Sequence, residues 1–167
     1  FKILVPGPFA AGKTSLIQSV SQTPVVSTAV VTSGDESEVK DATTVAMDFG
    51  RISVFDELMI YLFGPPGQDR FAFMWDQIAL GALGAVVLVD TRRLEESFAP
   101  IDYFEAKQIP FIVAITQFAD APVGTDDEIR EALALAPAIP IRSVDARERE
   151  SVKECLIALI DHMIQQL

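Results

Sequence analysis

With 167 residues, 50% hydrophobic and 22% charged, the chain has the apolar mass for one core, and two independently folding halves would be cramped. Thirteen Lys and Arg against 24 Asp and Glu give a net charge of −11. That balance excludes an extended electrostatic face for nucleic acid or anionic lipid and leaves a small cationic pocket open. The lone Cys155 excludes an internal disulfide and fits a reducing, cytoplasmic setting.

Apolar runs of strand length alternate with segments of helical period, the pattern of an α/β domain with a mainly parallel sheet. Residues 2–5 predict a buried strand, and no charged leader precedes it, so no signal peptide is expected. A glycine-bracketed turn leads into a helix over 13–22. Residues 32–41 are polar and without period. Two β-rich runs, 44–49 and 51–63, are separated only by Gly50, which predicts an antiparallel pair with a tight turn there. Gly64-Pro65-Pro66-Gly67 reads as a loop, followed by a helix over about 69–83 and a strand over 85–90 suited to burial on both faces. Helices over 94–107, 126–135 and 148–166 then alternate with strands over 111–116 and 139–142. No repeat or composition break divides the chain, so residues 1–167 are expected to form one domain. The longest mainly apolar stretch, 78–89, is twelve residues with two internal glycines. It falls short of the roughly 20 that span a bilayer, and no C-terminal lipidation box is present.

Gly7-Pro8-Phe9-Ala10-Ala11-Gly12-Lys13-Thr14 fits G-x-x-x-x-G-K-[ST] and lies where a phosphate-binding loop must lie, between a predicted strand and a predicted helix. The glycines let successive backbone N–H groups, including those of Ala10, Ala11, Gly12 and Ser15, point at phosphate oxygens, and the helix N-terminus adds its positive dipole end. Lys13 reaches the terminal phosphates and the Thr14 hydroxyl ligates Mg²⁺. One lysine, a ring of amides and a divalent cation suffice to hold a polyphosphate inside an acidic chain.

Two further segments frame a γ-phosphate: Thr43-Thr44-Val45-Ala46-Met47-Asp48-Phe49, and Gly64-Pro65-Pro66-Gly67-Gln68. With these, most of the chain resembles the Ras-like small GTPases, and within them the bacterial gliding, polarity and conservon-type GTPases. The Gly7-Pro8-Phe9 start and the run 86–94, with Phe98 and Asp102-Tyr103-Phe104-Glu105 beyond, look conservon-like. The resemblance implies a three-layer P-loop G domain, a six-stranded mainly parallel sheet with one antiparallel edge strand. It also implies a GTP/GDP switch with Mg²⁺ and slow, partner-dependent hydrolysis. Carried over by position, Thr44 ligates Mg²⁺, with Thr43 as fallback. Gly67 offers its N–H to the γ-phosphate, and Gln68 orients the attacking water. Gly64 and Pro65 replace the usual aspartate, so metal affinity leans on Thr14, Thr44, phosphate and water. Phe9 either obstructs an arginine entering from a partner or packs on the neighbouring switch region. For an arginine in cis, Arg51 and Arg70 are the nearest candidates in sequence.

Where the family carries N-K-x-D, this chain has Thr116-Gln117-Phe118-Ala119-Asp120, with the aspartate one residue late. Either the loop shifts so that Asp120 reaches the base or specificity is relaxed, and ATP is not excluded. Asp145-Ala146-Arg147 aligns with the family's S-A-K segment, which aims the Ala146 N–H at guanine O6. Relatives work with roadblock-type light-chain proteins, the expected partner; a homodimer is a further assembly to test. A non-hydrolysing scaffold and a P-loop ATPase or kinase are the competing readings. His162 reads as a surface helix histidine, Cys155 as a small core residue, and Asp126-Asp127-Glu128 as complementing a helix dipole. Asp90, at the end of a central strand, is the one further carboxylate held as functional.

Overall fold

A computed structural model describes residues 1–32, 43–54, 58–67 and 73–167, with backbone alone for 27–32 and 43–46. In chain order it runs β1 (Lys2–Leu4), α1 (Lys13–Val20), β2 (Val26–Thr32), β3 (Thr43–Val54), β4 (Leu58–Gly64), α2 (Trp75–Ala79), β5 (Ala82–Val89), a 3₁₀ turn (Leu94–Ser97), α3 (Phe98–Lys107), β6 (Phe111–Thr116), α4 (Asp126–Ala132), β7 (Ile141–Val144) and α5 (Arg149–Ile164). The strands form one sheet in the order β2-β3-β4-β1-β5-β6-β7. Only β3 among them runs against the rest, pairing antiparallel with β2 and with β4, while β4, β1, β5, β6 and β7 are mutually parallel. The expected α/β P-loop architecture is present. The sheet, however, has a seventh strand, because Val26–Thr32 pairs along β3 and takes the edge that the sequence assigned to the antiparallel strand.

The turn expected at Gly50 is not there. β3 runs straight through Gly50, which pairs with Leu62. A Cβ at this position would come 2.5 Å from Ile17 Cγ2 and 3.0 Å from Ser21 Cβ. The glycine therefore serves close approach of α1 to the sheet rather than chain reversal. The helix expected over 69–83 is shorter among the described residues, ending at Ala79 before Gly81, whose φ of 75° opens the turn into β5. The last strand starts later than 139 because pairing begins with the Pro140 carbonyl, which accepts from Val113 N at 2.9 Å.

Alternation along β5 builds the two cores. Val86 and Leu88 face α1 and α5 with Leu16, Ile17, Val152 and Leu159, whereas Val87 and Val89 face the other side with Met74, Ile101, Phe104 and Leu133. Every one of these side chains is almost wholly buried, and each contributes about 1.5–3 kcal/mol to holding the layers together. Thr125 caps α4 in a reciprocal box with Glu128, so the acidic first turn does act on the helix N-terminus. Cys155 is buried, its thiol pushed up to about 11 by that burial. His162 is corrected from surface to interior: it is 5% exposed, bonds Gln166 Nε2 at 2.7 Å, and burial lowers its pKa. It faces α3 across a cavity of about 540 Å³ far along the chain from the phosphate loop. No described helix is long and apolar enough to cross a membrane.

Candidate functional site

Five parallel strands end on one edge of the sheet, and β1, whose neighbours β4 and β5 diverge, marks the point where strand order reverses. That edge collects the segments after β1 (Gly7–Thr14 motif), β4 (Gly67), β5 (Asp90 to Arg93), β6 (Thr116 to Asp120) and β7 (Asp145 to Arg147). Because β3 is antiparallel, its early residues, Thr43, Thr44 and Asp48, come to the same edge.

The phosphate loop closes on itself. Gly12 adopts φ 101° at the start of α1 and Ala10 φ 59°, the left-handed turns that aim backbone N–H groups inward. Lys13 Nζ donates to the carbonyls of Gly7 at 2.8 Å and Pro8 at 2.6 Å. Its burial, opposed by the charge of Asp48 and reinforced by that of Arg93, brings its pKa down to about 8. The unfolded chain then holds more protons than the empty folded protein between about 8 and 10.5, so stability rises with pH across that window. A bound polyphosphate restores the ammonium. Nucleotide binding near pH 8.5 is therefore expected to take up a fraction of a proton, and near pH 6.5 none, at roughly these values from the shifted lysine. Binding enthalpies in buffers of different ionisation enthalpy read this directly; buffer-independent enthalpies at the higher pH would contradict it.

Gly67 stands against this lysine. A Cβ there would lie 2.5 Å from Lys13 Nζ and from the Pro8 carbonyl carbon, and 2.6 Å from Gly7 O. Only a glycine fits against the lysine and the loop backbone. Gln68 and Arg70 lie outside the described residues, as do the side chains of Thr43 and Thr44, whose backbones pair in β3 opposite Thr32 and Val31.

A carboxylate from the neighbouring strand lies beside Gly64. Asp48 pairs with Gly64 across the β3–β4 ladder, and a Cβ on Gly64 would lie 3.7 Å from Asp48 Oδ2. The Thr14 hydroxyl donates to that Oδ2. A hydroxyl and a carboxylate at the loop's exit are the hard oxygen donors that Mg²⁺ takes alongside phosphate, so the residues present fit the metal. Asp48 was not singled out from the sequence.

On the base side, Thr116 Oγ1 donates to Ala11 O at 2.8 Å, and Ala146, 4% exposed, packs beside Gly12. Gln117 Nε2 is 2.8 Å from Ser143 Oγ. The two carboxylates proposed for the base are engaged elsewhere. Asp145 accepts from Arg147 N, Nε and Nη2 at 3.0–3.1 Å, and the arginine holds its pKa low. Asp120 accepts from Arg92 Nη1 at 3.0 Å.

Arg92 belongs to a network centred on Asp90. This carboxylate is fully buried and receives Arg92 Nε at 2.9 Å, Arg92 Nη2 at 2.8 Å, Arg92 N at 3.0 Å and Arg93 Nη2 at 3.2 Å. The Arg92 guanidinium brings its pKa down to about 2. Arg92 also lies 4.0 Å over the Phe118 ring. Arg93 Nη2 reaches Phe9 O at 2.6 Å. The Phe9 ring is 64% exposed, so it does not fold away against the described residues. Arg51 is on β3 near the end of α1, where its carbonyl accepts from Gln22 N, away from the loop.

A strand, a closed phosphate loop and a helix at the switch point of such a sheet define a P-loop α/β fold. Solved structures share this fold. The cytosolic domain of the T. maritima FeoB iron transporter in a GDP form matches with TM-score 0.68 and 17% identity over 97% of this chain and 62% of that one. The chain thus spans less than two thirds of that domain. The Arl6 small GTPase of Trypanosoma brucei with bound GppNp matches with TM-score 0.70 and 17% identity over 100% of this chain and 99% of that one. The chain belongs to the family described as conserved hypothetical ATP binding proteins, whose family model matches residues 23–166. An uncharacterized protein of Methanocaldococcus jannaschii is 29% identical over 128 residues, 75% of each chain.

Proposed function

We propose that the chain binds a purine nucleoside triphosphate with Mg²⁺, hydrolyses it slowly, and signals through the segments around Thr44 and Gln68 to a protein partner. The observation that carries this reading is the closed loop with Lys13 on the Gly7 and Pro8 carbonyls and Gly67 set so close that a Cβ there would come 2.5 Å from Lys13 Nζ. The bound phosphates replace those carbonyls as acceptors, and the loop amides take the remaining oxygens. Thr14 and Asp48 would hold Mg²⁺, with Thr44 added by the Ras-like resemblance, and the ion would supply neutralisation of the phosphate charge. A water placed by Gln68 attacks the γ-phosphorus, the bond to the β–γ bridging oxygen breaks, and the diphosphate leaves while the water's proton ends on inorganic phosphate. The catalytic set is thus Gln68, Gly67 and Lys13.

The Gly67 contact gives a test. Gly67→Ala pushes the segment after β4 off the loop by about 1 Å, and a displacement of that size costs roughly 100-fold in rate. Diphosphate binding should stay within a few-fold while single-turnover hydrolysis falls by that factor; an unchanged rate would remove Gly67 from the site.

Guanine is the favoured base by likeness to the Ras-like GTPases, which implies that the Ala146 N–H meets the guanine O6 acceptor. A second reading, an ATPase with relaxed base choice, is supported by the engagement of Asp120 with Arg92 and of Asp145 with Arg147, and by the family's description. Identifying the nucleotide that copurifies, followed by competition between GTP and ATP, separates the two. The conservon-type branch, the roadblock-type partner and a cytoplasmic home belong to the same proposal. Single-turnover assays with and without such a partner decide between switch and scaffold: no hydrolysis in either condition would leave only the scaffold.

A further inference from the structure

The phosphate loop is held by two cationic side chains. Lys13 Nζ takes the carbonyls of Gly7 and Pro8, and Arg93 Nη2 takes the next one, Phe9 O, at 2.6 Å. Three consecutive carbonyls thus receive N–H bonds from two cations, in a chain of net charge −11. Arg93 is not a surface arginine resting there by chance. The fully buried Asp90 accepts from the same Nη2 at 3.2 Å, Glu96 lies 3.5 Å from Nη1, and the side chain is 32% exposed.

A neutral carbonyl is a weaker acceptor than a phosphate oxygen. The Phe9 carbonyl therefore yields to a phosphate, as the Gly7 and Pro8 carbonyls do at Lys13. We propose that Arg93 is a second phosphate-binding cation of this site, aimed by Asp90, which passes from the Phe9 carbonyl to the terminal phosphate when a triphosphate is bound. The charge that phosphoryl transfer draws from an arginine, in cis or from a partner, then comes from the chain itself, from the end of β5. The assignment rests on the triphosphate-binding reading above.

The test measures Arg93→Ala and Arg93→Lys against the unmodified protein by calorimetric titration with GDP and with GppNHp in Mg²⁺, or with the adenosine pair where that base binds, together with single-turnover hydrolysis. Arg93→Ala is expected to weaken the triphosphate analogue roughly 10–100-fold, the loss of one charge-assisted contact, and the diphosphate less than about threefold on the same grounds. Hydrolysis should fall roughly 1,000-fold. Arg93→Lys keeps the charge but not the fork that spans Asp90 and a phosphate, so it recovers only part; should Arg93→Ala unfold on heating well below the unmodified protein, the triphosphate-to-diphosphate ratio of Arg93→Lys decides. An equal loss for both nucleotides, or none, in variants of a protein that binds both would overturn the assignment of Arg93 alone. Failure of the unmodified protein to bind either nucleotide would overturn the proposed function and this assignment with it.

Discussion

Asp48→Ala is expected to weaken Mg²⁺-dependent triphosphate binding by roughly 10–100-fold, the range seen when a group supporting a metal ligand is removed. Gly64 occupies the place where the Ras-like pattern has its carboxylate, and Asp48 pairs with Gly64 across the ladder and accepts the Thr14 hydroxyl. Its loss frees Thr14 to rotate and removes a negative charge beside the metal. Asp48→Asn keeps the shape and loses the charge, so it should fall between the two. In EDTA the variants and the unmodified protein should bind diphosphate alike. Titrating triphosphate at graded Mg²⁺ reads the difference, and an unchanged Mg²⁺ midpoint in Asp48→Ala would place the metal elsewhere.

Why Asp48 escaped the sequence is a matter of register. A tight turn at Gly50 would put Asp48 opposite Ile52, beside the turn. The strand instead continues to Val54 and pairs Asp48 with Gly64. Gly50 is needed because Ile17 and Ser21 of α1 leave no room for a Cβ, a tertiary contact that local turn chemistry cannot announce. One misplaced turn thus hid both the seventh strand's neighbour and the carboxylate. The phosphate loop was legible because its signal is local: glycines, lysine and threonine at fixed spacing between a strand and a helix, all within eight residues. Gly67 entered through the family pattern, and the lack of room for a Cβ beside Lys13 Nζ and the Pro8 carbonyl carbon gives a physical reason for a glycine there.

The base side shows the opposite case. Residue type and position suggested Asp120, yet which group a carboxylate meets depends on a partner 28 residues away, Arg92. The sequence did point to the end of β5 through Asp90, and the two arginines that follow it were the available signal. What it lacked was direction: from one buried carboxylate Arg92 turns to the loop after β6 and Arg93 to the phosphate loop.

That arrangement makes Asp90 the residue whose loss reaches furthest. Asp90→Ala leaves two guanidinium groups without their shared anion. Breaking a fully buried pair costs about 3–5 kcal/mol. Because each arginine side chain keeps 32% of its surface in water, the expected loss is lower, about 2 kcal/mol. The pH dependence has a definite sign. Asp90 is held down to about 2 by Arg92, below its unfolded value, so the stabilisation is present above the ordinary carboxylate range and fades as pH falls through about 2. Urea unfolding should therefore show a constant difference between the unmodified protein and Asp90→Ala above about pH 5 that shrinks on acidification. The substitution also releases Arg93 from the phosphate loop and Arg92 from Asp120, so triphosphate affinity should drop along with stability. A variant that lost stability while keeping full triphosphate affinity would reduce Asp90 to a core ion pair and detach it from the site.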